Sequence, residues 1–395
     1  MTAPGFTLLL NAELYDPAPR GPSHLLVSGG SVAWVGTTLA ALPDELEAET
    51  VDLAGRRTIP GLVDCHAHLT GGGGEAGPHT RVPPVTLGRF TAGGTTTVVG
   101  VLGTDDTVRT PEELVVTARG LNAQGLSAYC FTGGYHVPLA TATGSVRRDL
   151  VLIDLMIGVG ELAISDHRSS QPTVDELLRI AADAHVGGLM AGKAGIVHLH
   201  VGDGARGLGP IRDALDRSEL PPSVFHPTHV NRRRGLLDEA FALAERGCVI
   251  DITAFPVGPD EDAWPAAEAL RRYLDTGLPP ARVTVSSDAG GCLPVFDAEG
   301  RVTDMDVGHP AALAATLREL VGAGVALEQA LPAFTRNPAR LLRLPRKGHL
   351  TRGADADLVV LDEEGAISDV MAMGRWHVRG GRPVVHGTFE RMEHR

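Results

Sequence analysis

The sequence predicts an α/β chain built around a (β/α)₈ TIM barrel, with a smaller β domain assembled from its two ends. Three observations carry that expectation. Between residues 58 and 348, eight apolar runs of strand length alternate with amphipathic segments of helix length. The flanks, 1–57 and 349–395, read instead as short strands broken by Pro/Gly turns. Histidines and carboxylates gather toward the ends of the central runs, where barrels of this kind carry their reactive residues.

The N-terminal flank holds FTLLLNAELY, HLLVSGGSVAWVG and ETVDLAG. The C-terminal flank holds GHLTRGADADLVVLD, DVMAMGRWHVRGG and RPVVHGTF, equally strand-rich and helix-poor. One shared β domain is the economical reading; two unrelated terminal additions are the alternative. The eight central runs are IPGLVDCHAHL, TTTVVGVL, LSAYCFTGGY, VLIDLMIGVGELAIS, IVHLHVGD, SVFHPTHV, CVIDITAFP and RVTVSSDAG. Between them, PEELVVTARGLNAQG, TVDELLRIAADAHVGG, RGLLDEAFALAERG and AAEALRRYLDTG have helical periodicity, and most end at a glycine able to cap them. Thr110 opens the first of these as an N-cap, with Pro111 at N1 and Glu113 at N3. An open doubly wound sheet is the rival architecture. It needs a glycine-rich dinucleotide turn after its first strand, and here that turn follows a histidine pair.

A chain of 395 residues can bury a large core and suggests one big domain plus something smaller. Its 43% hydrophobic and 21% charged residues are ordinary for a soluble globular protein. The formal charge of −13 argues against nucleic acid or an anionic membrane as partner, because both are polyanions. Cys65, Cys130, Cys248 and Cys292 follow no CxxC or disulfide-framework spacing, which fits a reducing cytosol. The N-terminus has no basic region and no apolar stretch of signal-peptide length. The longest apolar run, 150–164, is interrupted by Asp154 and Glu161 and is too short to span a bilayer. A cytoplasmic protein is expected.

The chemistry centres on residues 58–77, TIPGLVDCHAHLTGGGGEAG. Side chains two apart on a strand share a face, so His66 and His68 can bind one metal ion between them. A four-glycine loop carrying Glu75 follows at once. Further predicted strand ends carry Tyr135 (third), Glu161 (fourth), His200 (fifth), His229 (sixth) and Asp288 (eighth). Four histidines and two carboxylates converging on one mouth suffice for two metal ions. His198 shares the fifth run, but His200 lies nearer its C-terminal end. His226 and His229 are three apart and cannot both point inward on a regular strand; His229 is nearer the end. His24, His349 and His386 read as surface residues, and Asp288 could instead cap the segment that follows it.

PGLVDCHAHL on the first strand, a histidine on the fifth and on the sixth, and SSD on the eighth resemble the amidohydrolase superfamily. HLTGGGGEAGP, VVGVLGTD, FTGGYHVP, AISDHRSS, HVGD and PTHVNR resemble, more narrowly, the bacterial isoaspartyl (β-aspartyl) dipeptidases, over nearly the whole chain. The resemblance implies a metal-dependent barrel at 58–348 and a small β-sandwich formed by 1–57 with 349–395. It implies hydrolysis of dipeptides joined through the aspartate side-chain carboxyl, two divalent ions per subunit with Zn²⁺ the expected metal, and a homo-oligomer. His66, His68, Glu161, His200, His229 and Asp288 would hold the ions, with a bridging hydroxide as nucleophile. Asp288 would shuttle the proton and Tyr135 would donate to the oxyanion. Glu75, with Gly73 and Thr104, would bind the substrate ammonium, and Arg168 and Arg232 its carboxylates.

Two positions depart from the family pattern. The fourth strand of the family ends in a carboxylated lysine that bridges the metals, whereas here Glu161 stands there, with one extra residue in the strand. Lys193, in AGKAG, precedes the fifth strand and is not a substitute for it. Cys292 stands where a serine contacting the substrate carboxylate is expected. The alternatives are another amidohydrolase acting on an N-acyl amino acid or cyclic amide, or a metal-binding barrel with reduced turnover.

Overall fold

The computed structural model describes residues 5–38, 42, 47–296 and 301–390; the remaining residues of the two flanks assigned above lie outside these. From the N-terminal flank come β1 (Phe6–Asp16), β2 (Ala18–Ser28), β3 (Ser31–Gly36), β4 (Glu49–Asp52) and β5 (Arg57–Pro60). β1 pairs antiparallel with β2, and parallel with β4 and β5. The first central run divides at Gly61. Its Ile59 and Pro60 belong to β5, and the barrel begins only at β6 (Leu62–Ala67). Gly61 donates its N–H to Asp357 O at 2.8 Å, and a Cβ there would strike Thr96.

β6 is followed by β7 (Thr95–Gly100), β8 (Ser127–Thr132), β9 (Met156–Ile164), β10 (Val197–Val201) and β11 (Phe225–Thr228), which pair in chain order as one parallel sheet. β12 (Ile250–Thr253) and β13 (Val283–Ser286) form a further parallel pair. The Val230 N–H reaches Asp251 O at 3.4 Å across the gap between β11 and β12. On the other side the eighth strand returns to the first. Asp288 donates to His66 O at 3.1 Å, and His68 donates to Ala289 O at 2.7 Å. An open doubly wound sheet leaves its two edges unpaired; this one curls round and joins them.

The barrel strands are buried on both faces, which is why their sequences are apolar without strict alternation. The helices between them start and stop where the sequence indicates. Thr110 accepts from the Glu113 N–H ahead of helix Pro111–Ala123, and Thr173 with Glu176 closes a capping box on helix Val174–Ala191. Gly192 and Gly247 end helices Val174–Ala191 and Arg234–Arg246 in the left-handed conformation. Leu114 and Leu121 of helix Pro111–Ala123 are buried against the barrel, each worth about 1.5–3 kcal/mol.

The hairpin β14 (Cys292–Phe296) and β15 (Val302–Val307) leaves the barrel just after Asp288. The chain then returns to the first sheet. β16 (Leu358–Leu361) pairs antiparallel with β5, and β17 (Ile367–Ala372), β18 (Arg375–Arg379) and β19 (Arg382–Pro383) extend it to nine strands drawn from both ends. Those strands share a core of their own, with Leu9, Leu14, Leu25, Leu358, Val360 and Met371 at its centre. Buried Lys347 ties it to the barrel, bonding Asp357 and Ser127 Oγ, each at 2.6 Å. Among the described residues no helix is long and apolar enough to cross a membrane.

Candidate active site

His66 is on the last turn of pleat in β6 and His68 follows its end, and both imidazoles point into the mouth of the barrel with Nε2 atoms 3.4 Å apart. Gly103 makes room for them: a Cβ there would lie 2.7 Å from Cε1 of His68. Asp288 enters from beyond β13, its Oδ1 3.3 Å from Nε2 of His66 and 3.1 Å from Nε2 of His68. His229, just past β11, and Asp288 both have left-handed backbone, with φ of 60° and 52°. Such a conformation is costly for residues with a side chain and is held here by the loops around the mouth.

Glu161 reaches the same point from inside β9. Val159 opposes Val197 and Leu162 opposes Leu199, so β9 spends three residues where β10 spends two. β9 thus carries a bulge at Gly160–Glu161, which re-aims the side chain. Oε2 of Glu161 lies 3.0 Å from Nδ1 of His200 and 3.0 Å from Nε2 of His229. Its Oε1 is buried with no hydrogen-bond partner among the described residues. His66, His68 and Asp288 offer three ligand atoms within 4.8 Å of one another, and His66, Glu161 and His229 offer a second set. His200 belongs to neither set; its Nδ1 stands 3.0 Å from Glu161 Oε2 and its Nε2 2.9 Å from Asp166 Oδ2.

Burial by itself would neutralise these groups, but they charge one another. The Glu161 carboxyl, although desolvated, is held well below the usual carboxylate range by His66 and His200. Asp288, equally buried, is held low by His66 and His68. Burial depresses His66, yet Glu161 and Asp288 outweigh it and lift the imidazole to about 9. A field that retains a proton on buried imidazole is one that favours a cation at the same point. Burial, with Glu161 beside it, pushes the Tyr135 phenol well above its ordinary value, so it stays a hydrogen-bond donor. Its Oη is 2.7 Å from Nδ1 of His200.

A second cluster adjoins the first. Glu75 Oε1 accepts from Thr104 Oγ1 at 2.9 Å and from Arg168 at 3.3 Å, while its Oε2 is buried without a hydrogen-bond partner among the described residues. Gly73, at φ 77°, lets the glycine loop turn toward it; a Cβ there would lie 2.5 Å from Thr80 O and 3.4 Å from Cβ of Cys292. Arg168 also grips Asp166 through Nη2 at 2.8 Å and Nε at 3.1 Å. Arg232 donates to Val201 O at 3.1 Å and lies 3.2 Å from Nε2 of His200. All the residues expected from the sequence therefore line one mouth. Lys193 is not among them; it caps a helix end, donating to Leu150 O and Ile153 O at 2.6 and 2.8 Å.

Residues 58–377 match the amidohydrolase family profile. The chain belongs to the amidohydrolase family. The solved β-aspartyl dipeptidase of Fervidobacterium islandicum AW-1, in complex with β-Asp-Leu dipeptide, is 41% identical with a TM-score of 0.89, covering 96% of this chain and 98% of that one. The imidazolonepropionase of Anaeromyxobacter dehalogenans is 28% identical over 415 residues, 91% of this chain and 90% of that one. The dihydropyrimidinase of Brevibacillus agri NCHU1002, at 17% identity and a TM-score of 0.67, shares the fold. As a member of the amidohydrolase family this chain is a hydrolase, and the buried Glu161 Oε1, without a hydrogen-bond partner among the described residues and set amid imidazole nitrogens, fits the divalent ions that the family binds.

Asp166, in AISDHRSS, carries no signal of its own in the sequence. A carboxylate two residues before an arginine is common on surfaces. Its burial between His200 and Arg168 is a tertiary fact.

Proposed function

We propose that this amidohydrolase cleaves dipeptides joined through the aspartate side chain, using two divalent ions, most simply Zn²⁺. One observation carries the reading: Glu75, whose Oε2 is buried without a hydrogen-bond partner among the described residues, is linked through Oε1, Arg168 and Asp166 to the histidine and carboxylate cluster. An anionic pocket beside cationic groups suits a zwitterionic substrate with an additional carboxylate. The 41% identical solved relative, which carries β-Asp-Leu, supports it.

His66, His68, Glu161, His200, His229 and Asp288 would hold the ions. When bound, these would polarise the scissile amide carbonyl and lower the pKa of a water. Asp288 accepts the proton of the attacking water at its carboxylate and returns it to the departing amine. The Tyr135 hydroxyl donates to the carbonyl oxygen as negative charge develops there. Glu75 pairs with the substrate's α-ammonium, with Gly73 and Thr104 beside it, and Arg168 and Arg232 hold the carboxylates. Cys292, next to Gly73, offers a thiol, a weaker hydrogen-bond donor than a hydroxyl. In this reading 58–348 is the catalytic domain, and 1–57 with 349–395 closes over its own core as a small β-sandwich. The enzyme works in the cytoplasm as a homo-oligomer; its four cysteines are free.

The imidazolonepropionase relatives favour a second reading, hydrolysis of a cyclic amide, with Cys292 and Glu161 as the altered residues. The test is a direct comparison of β-Asp-Leu, α-Asp-Leu and an imidazolone acid on one purified, metal-analysed sample. Cleavage of β-Asp-Leu but not of its α isomer is expected. Equal turnover of the two isomers, or turnover of the imidazolone alone, would sink the dipeptidase reading.

A further inference from the structure

Beneath the candidate ligands a chain of hydrogen bonds crosses the barrel floor. Nδ1 of His66 is 2.8 Å from Nε2 of His198, and Nδ1 of His198 is 2.8 Å from Nδ1 of His226. Nε2 of His226 is 3.0 Å from Thr284 Oγ1, which in turn is 2.5 Å from Asp251 Oδ1. All five residues are buried. The other Asp251 oxygen accepts from Thr228 Oγ1 at 2.7 Å and Ser286 Oγ at 2.5 Å. Asp251 therefore accepts hydroxyl hydrogen bonds on both oxygens.

Each link holds one proton, so the direction of one link sets the next. The Thr284 hydroxyl has a single proton, and Asp251 Oδ1 and the more distant Ile250 O, at 3.4 Å, are both acceptors. Thr284 gives its proton to that side and must accept from His226. Nε2 of His226 is thus the protonated nitrogen, and its Nδ1 accepts from Nδ1 of His198. Nε2 of His198 then accepts from Nδ1 of His66. In its neutral form, the one a metal ion binds, His66 is left with a bare Nε2, the atom that faces His68, Glu161 and Asp288. A bare nitrogen is the form a metal ion needs.

We propose that Asp251, acting through Thr284, His226 and His198, sets the tautomer of His66 so that Nε2 is free for a metal ion. This rests on the reading of His66 as a ligand. The four are positioning residues: they act on the ion through His66. Were the chain reversed, Nε2 of His66 would carry the proton and each ion would have to displace it. Metal sites commonly orient a ligand histidine by a carboxylate on its other nitrogen; here the carboxylate stands four links away.

The test pairs ¹⁵N NMR of histidine-labelled wild type, metal-free and zinc-loaded, with zinc titration of Thr284→Val and Thr284→Ser. In both spectra His198 should be protonated on Nδ1 and His226 on Nε2, and His66 should keep its Nδ1 proton throughout and give up a second proton, from Nε2, only when zinc binds. Thr284→Val, which removes only the hydroxyl, should weaken zinc binding by about 10–100-fold, the range for a lost outer partner of a ligand. Thr284→Ser should restore it to within a few-fold of wild type. His226 protonated on Nδ1 in the wild type would overturn the proposal, and this decides the matter even if Thr284→Val does not fold. So would Thr284→Val binding zinc as wild type does, with the metal centre itself intact. A wild type that takes up no divalent ion would overturn the centre and its positioning chain together.

Discussion

Oε2 of Glu161 stands 3.0 Å from Nε2 of His229, while its other oxygen lies 3.7 Å from Nε2 of His68. One carboxylate thus faces both candidate ligand sets. Two divalent cations held close together repel strongly, and an anion between them offsets that repulsion. The family resemblance places a carboxylated lysine in this role, which makes metal loading depend on bicarbonate. With Glu161 there, two ions should bind without added bicarbonate. Glu161→Gln removes the charge and one acceptor oxygen, so it should lose one or both ions. Metal content per subunit, from preparations made without bicarbonate, checks this; two ions retained in the variant would show that Glu161 is not the bridge.

Asp288 faces His66 and His68 from a left-handed backbone position. As the proton carrier it should be hard to replace. Asp288→Asn keeps the shape and removes the base, so kcat on β-Asp-Leu should fall by roughly 10²–10⁴, with weaker metal binding. A variant within a few-fold of wild type would remove Asp288 from the mechanism.

Glu75 has one oxygen bonded to Thr104 and Arg168 and one without a hydrogen-bond partner among the described residues. If the latter receives the substrate ammonium, Glu75→Gln should act chiefly on binding. Losing a hydrogen bond to a charged group costs about 1.5–3 kcal/mol, or roughly 10–100-fold in KM. Steady-state kinetics separates the cases, and an unchanged KM would move the amine site elsewhere.

His377 is a buried residue of β18 in the terminal sheet, and neither ring nitrogen has a hydrogen-bond partner among the described residues. Burial first, then the charge of Arg375, pushes its imidazole down to about 4. In the unfolded chain it gains a proton near the ordinary value of about 6.5. Below that pH the unfolded state binds more protons, so stability falls as pH drops toward about 4, by at most about 3 kcal/mol. His377→Leu should therefore lose less melting temperature between pH 7 and pH 5 than wild type does. Equal losses in both proteins would show that another group governs the acid response.

What the sequence determined by itself was the rhythm of the barrel and the residue types at its mouth. All eight central runs contain a barrel strand, because continuous apolar segments between capped helices have few other ways to be buried. Distance along a strand is also height in a barrel, which is why His200 and His229 stand at the level of Glu161 while His198 and His226 lie one layer below. The boundary at Gly61 was not legible in the sequence. Ile59 and Pro60 look like barrel residues, and only their pairing with Val359 and Leu358 of β16 puts them in the other sheet. Nor could the sequence show that Asp166 is wedged between His200 and Arg168, or that His198 and His226 join His66 to Asp251. Periodicity says which face a side chain takes; whether a buried polar group meets a partner depends on strands far apart in the chain, and closure of the barrel decides it.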